Sequence, residues 1–178
     1  MLRTIILLTG TVRQQHALAS LLREHNPGLS FCSAMAVADL TALGSNILRD
    51  AKLICFANDA AFPETFLMRL GHGAYKFYAA PMQYPGLPAE PDEIADDARC
   101  FSAIAESMTI WPDSRRVVGL ETFTIPEGTA SFERERLVFA RLAYLFWRMS
   151  GLIACEATDL PGIIDATESK GPTLALLN

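Results

Sequence analysis

Short apolar runs alternate with segments of helical spacing along the first half of the chain. Thr4-Ile5-Ile6-Leu7-Leu8 is unbroken by charge, the pattern of a strand buried on both faces. It ends at Thr9-Gly10-Thr11, and Arg13–His25 follows with Ala17, Leu18, Leu21 and Leu22 on one helical face. Asn26-Pro27-Gly28 stops that helix, because proline cannot continue it and glycine suits a left-handed cap. The same reading predicts a strand over Leu29–Val37, a helix over Asp39–Arg49 and a third strand over Lys52–Ala57, with Asn58-Asp59 just past its end. Pro63–Leu70 reads as a helix with proline in its first turn, and Tyr75–Ala79 as a fourth strand. This repeated order predicts an α/β fold with a mostly parallel sheet and helices on both faces. Ligand sites in such sheets lie at the carboxyl ends of the strands.

The second half is less regular. Glu90, Asp92, Glu93, Asp96 and Asp97 fit a short solvated helix whose early carboxylates favour the positive end of the helix dipole. Cys100–Met108 and Arg116–Ile125 read as strands. Ser131–Ser150 reads as a helix apolar around most of its circumference, with Arg134, Arg141 and Arg148 in one narrow stripe. Two readings fit such a helix: a core helix with a solvated edge, or a helix buried on two sides that forms the contact for a homo-oligomer or a partner subunit. The expected organisation is one domain over residues 1–155 and a tail or appendage over 156–178.

Composition narrows the function classes. At 178 residues and 51% apolar content the chain can bury one substantial core. A net charge of −5 argues against nucleic acid as a partner, since phosphate neutralisation needs clustered lysine and arginine. The four cysteines are scattered without C-x-x-C spacing or a nearby histidine, so neither a metal site nor a disulfide framework is expected. Cys32 and Cys55, inside strand-like runs, are expected as buried free thiols. No stretch reads as a signal peptide or a membrane span, which predicts a cytoplasmic protein without membrane contact. A lone Gly10 after the first strand cannot form a dinucleotide-binding fingerprint, and no G-x-S-x-G element is present.

Two blocks carry the candidate chemistry. The first is Ala74-Tyr75-Lys76-Phe77-Tyr78-Ala79-Ala80-Pro81-Met82-Gln83-Tyr84-Pro85-Gly86. The second is Ser102-Ala103-Ile104-Ala105-Glu106-Ser107-Met108, followed by Asp113-Ser114-Arg115 and a strand ending at Ile125-Pro126. In spacing they resemble the catalytic blocks of the formyltransferase family, the methionyl-tRNA and glycinamide ribonucleotide formyltransferase group. There a strand ends in Asn-x-His-Pro and a Tyr-x-Gly turn, and Gly-Ala-Thr-x-His-x-Met and Asp-x-Gly follow. The resemblance implies a Rossmann-like formyltransferase-type fold over about Leu2 to Arg148.

It also implies that Lys76, Tyr78 and Asp113 occupy the places of the catalytic Asn, His and Asp, with Tyr84, Gly86 and Glu106 lining a substrate site. Only the aspartate is retained. Arg115 replaces a glycine, and Glu106 stands where the family has its second histidine. Formyl transfer from a folate-type donor needs a stabilised oxyanion and a proton shuttle. Losing one preorganised donor costs about 10²–10³ in rate, and losing a general acid or base about 10²–10⁴. The expectation is a catalytically degenerate one-carbon transferase relative that acts by binding or as a partner subunit. The alternative is an active transferase or hydrolase with a rewired Lys76, Tyr78 and Asp113 site, using a 10-formyltetrahydrofolate-like donor. His72, His16 and His25 are weaker candidates for a replacement base.

Overall fold

The computed structural model describes residues 2–84, 87–88, 100–108, 116–156, 160 and 164–165. Its elements in chain order are β1 Thr4–Thr9, α1 Val12–His25, β2 Ser30–Ala34, α2 Val37–Thr41, α3 Ser45–Arg49, β3 Ala51–Phe56, α4 Glu64–Leu67 and β4 Ala74–Tyr84. The remainder are β5 Leu87–Pro88, β6 Cys100–Ser107, β7 Arg116–Thr124, α5 Ser131–Cys155 and β8 Ile164–Asp165.

The strands form one sheet in the order β2-β1-β3-β4-β6-β7-β8, with β5 attached to β4. β2, β1, β3 and β4 pair in parallel. The pairs β4–β6, β6–β7 and β7–β8 are antiparallel, so the sheet is mixed rather than mostly parallel. Connection length accounts for the antiparallel β6–β7 pair. Residues 108–115 join β6 to β7, too few for the dozen or more residues that a parallel crossover requires.

Strand alternation divides the core in two. On one face Ile5, Leu7, Ile54, Phe56, Tyr75, Phe77, Ala103 and Ala105 pack against α1 and α5. On the other, Ile6, Leu8, Leu53, Cys55 and Ala74 meet Leu40, Leu48 and Phe66 from α2, α3 and α4. Thr11 caps α1 by accepting from the Gln14 amide while the Gln14 side chain accepts from the Thr11 amide.

Several boundaries differ from expectation. The helix expected over Asp39–Arg49 is two short helices separated at Gly44, with Asp39 capping the first by accepting from Met35 and Ala36 amides at 2.8 and 3.0 Å. Those two bonds hold its carboxyl below the usual range. Pro63 precedes the four-residue α4 as its cap. Cys32 is half-buried because β2 is an edge strand, whereas Cys55 is fully buried. The acidic segment over 90–97 lies outside the described residues.

The helix expected to end at Ser150 runs to Cys155. At 25 residues it is, by length and composition, the one helix among the described residues able to cross a membrane, contrary to the expectation of none. Here it docks on the sheet, burying Leu142, Leu145, Phe146, Met149 and Ile153 at helical intervals. Lys52 ties its carboxyl end down. This fully buried side chain, at the start of β3, donates from Nζ to the carbonyls of Ile153 at 3.2 Å and Glu156 at 2.7 Å. A cation there opposes the negative pole of the helix and satisfies carbonyls that have no partner within it.

Candidate active site

The first block lies on β4. Alternation sends Tyr75 and Phe77 into the α5-facing core, both fully buried, and turns Lys76 and Tyr78 to the opposite face, where both are half-buried. In the antiparallel register Glu106 of β6 stands across from Lys76, and Ile104 across from Tyr78. Residues directly opposite share a face, so Lys76, Tyr78, Ile104 and Glu106 form one patch.

The Tyr78 hydroxyl crosses diagonally and donates to Glu106 Oε2 at 2.8 Å. Lys76 Nζ lies 5.8 Å from the centre of the Tyr78 ring, within cation–π range. A register shift between Ala105 and Glu106 in the β6–β7 pair gives β7 one extra residue, Val118. Such bulges re-aim neighbouring side chains and are frequent beside functional sites. Lys76, Tyr78 and Glu106, predicted from separate blocks, are therefore brought together.

The parallel side of β4 adds a residue that sequence spacing did not bring to the site. Cys55 of β3 pairs in register with Lys76. Its thiol is fully buried and lies 3.3 Å from the Asn58 carbonyl. Burial pushes its pKa from an ordinary 9.0 up to about 11, with Lys76 opposing the rise and Asp59 adding to it. Beyond β3, Ala57 adopts a left-handed backbone at φ 47° while its amide donates to the Phe77 carbonyl at 3.0 Å. A non-glycine residue is uncommon there. The one sequence signal for this corner was Asn58-Asp59 just past the apolar run.

Other expected site residues fall elsewhere. Tyr84 ends β4 and pairs with Leu87. Asp113 and Gly86 lie outside the described residues, as do Arg115 and Trp111. His72 sits in the turn before β4, its amide bonded to the Ala51 carbonyl, at the far end of the strand from Tyr78. His25 Nε2 is 2.9 Å from Ser150 Oγ and helps join α1 to α5, and His16 is exposed on α1. None of the three histidines joins the Lys76 patch.

The chemistry of the patch follows from its donors. The Tyr78 proton points at a carboxylate, so it is already committed. Glu106 brings negative charge to a place where an oxyanion mechanism would require positive potential. Lys76 is the only cation of the three.

No family model matches the sequence, and neither does any curated protein. Solved structures do match. An uncharacterised protein of Mycobacterium tuberculosis assigned to the sugar N-formyltransferases superposes with TM-score 0.61 at 15% identity, over 86% of this chain and 68% of that one. The formyltransferase PseJ of Anoxybacillus kamchatkensis, solved with UDP-4,6-dideoxy-4-formamido-L-AltNAc and tetrahydrofolate, gives 0.59 at 16% identity, over 96% and 84%. Phosphoribosylglycinamide formyltransferase of Anaplasma phagocytophilum gives 0.56 at 14%, over 86% of each. The mixed sheet, its flanking helices and these superpositions together establish that the chain has the α/β fold of the formyltransferases.

Proposed function

We propose that this chain is a formyltransferase-fold protein that has lost ordinary formyl transfer and acts by binding. The observation that carries the reading is the Tyr78–Glu106 hydrogen bond at 2.8 Å, because it joins the two positions that resemble the family's histidines. A tyrosine bonded to a carboxylate neither relays a proton near neutrality nor offers its hydroxyl to a developing oxyanion. A 10-formyltetrahydrofolate-type donor is the cofactor this fold would imply, and this trio does not suit its chemistry. The formyl oxygen gains negative charge in the transition state, and Glu106 would oppose that charge. No step through the donor follows from these residues.

The second reading, a rewired transferase or hydrolase, draws on one feature: Lys76 is an ammonium on the same face, across from Glu106. Asp113 would complete that site by the resemblance. The two readings separate in an assay of 10-formyltetrahydrofolate with an amino-sugar nucleotide, or with water, as acceptor. The binding reading expects product formation at the rate of the protein-free control. Turnover that disappears in Lys76→Ala would support the rewired enzyme.

A further inference from the structure

α5 has a second face that the sheet does not use. Opposite the buried stripe, Glu133, Leu137, Ala140, Tyr144 and Trp147 recur at intervals of four and three residues, the spacing of a helix–helix seam. Leu137, Tyr144 and Trp147 are 42, 45 and 56% exposed. Ala140 in mid-seam leaves room for a second backbone to approach. The seam ends where Gly151 meets His25 of α1.

One flank of this seam is entirely basic. Arg134, Arg141 and Arg148 each follow a seam residue and hold the same heptad position, in a chain whose net charge is −5. Arg141 pairs with Glu121 at 3.2 Å, and Arg148 lies 5.9 Å from the Tyr144 ring centre. Flank positions of paired helices set partner choice through charge.

We infer that the outer face of α5 is one half of a helix–helix interface whose other half is an acidic amphipathic helix from a different chain. A second copy does not supply the complement. Antiparallel two-fold pairing would set Arg134 against Arg148 and Arg141 against its own counterpart, while parallel pairing would set the stripe against Arg136, Ala143 and Ser150. An anionic lipid surface would attract arginine but demands no seven-residue register. The inference is independent of the reading of Lys76, Tyr78 and Glu106, since no seam or flank residue lies on β4 or β6.

The test uses the full chain and two labelled three-heptad peptides with the same leucine seam, one with glutamate and one with lysine flanks, followed by fluorescence anisotropy. The glutamate peptide is expected to bind about tenfold more tightly, and the order to reverse in the surface variant R134E/R148E. Trp147→Ala should weaken both peptides. Four results would overturn the inference: equal binding, no binding, a dimer in sedimentation that Leu137→Asp dissolves, or adsorption to phosphatidylglycerol vesicles without peptide preference.

Discussion

Tyr78 and Glu106 are joined by a 2.8 Å hydrogen bond although their strands set them diagonally, with Ile104 directly across from Tyr78 and Lys76 directly across from Glu106. The bond therefore ties two registers of the β4–β6 pair together. A phenol bonded to a carboxylate belongs to the stronger class of side-chain hydrogen bonds. Tyr78→Phe is expected to lower unfolding stability by about 1–3 kcal/mol. A double-mutant cycle with Glu106→Gln, read by urea denaturation, should give a favourable coupling of about 1 kcal/mol. Additive single effects would show that the contact contributes nothing.

Lys52 makes a second prediction, about the anchoring of α5. Its two bonds to the Ile153 and Glu156 carbonyls are charge-assisted and buried. Lys52→Met keeps most of the apolar stem but removes both bonds, and should cost about 1.5–3 kcal/mol in denaturant unfolding. Amide exchange should rise most in the last turn of α5. An unchanged or higher stability would mean that desolvating the ammonium outweighs its hydrogen bonds.

The buried thiol of Cys55 predicts an alkaline effect. Its folded pKa is raised from 9.0 to about 11, so the folded state keeps a proton that the unfolded state releases first. The stabilising contribution is complete below about pH 9 and falls as pH rises towards 11. Cys55→Ala should flatten the loss of stability over that window in denaturant titrations at fixed salt. The same burial predicts that a thiol reagent at neutral pH labels exposed Cys100 and Cys155 well before Cys55. A pH slope identical in wild type and Cys55→Ala would remove this account.

How much of this was legible in the sequence varies by element. α1 was, because Leu18 and Leu22 recur on the buried face and Asn26-Pro27-Gly28 marks its end. The reach of β4 was not, since Pro81 looks like a stop. It pairs with Phe101, and among the described residues the β3 pairing has already ended at Phe77, so Pro81 interrupts no β3–β4 ladder. The break between α2 and α3 hung on a single Gly44 that helical spacing overrode. Period-two alternation along β4 is enough to put Lys76 and Tyr78 on one face, whereas Glu106 was tied to them only by the family-like blocks, and its place across from Lys76 depends on the β4–β6 register. The place of Cys55 beside Lys76 depends on β3–β4 register, a long-range pairing that local spacing does not encode.

The central claim is that the patch of Lys76, Tyr78 and Glu106 no longer supports formyl transfer. A single-turnover experiment tests it most directly, with protein in excess over 10-formyltetrahydrofolate and both formate and formylated amine quantified after quenching. Loss of a proton relay alone costs about 10²–10⁴ in rate, so wild type and Lys76→Ala should both match the protein-free decay of the donor. Donor consumption by wild type that is faster than this decay and abolished in Lys76→Ala would contradict the account.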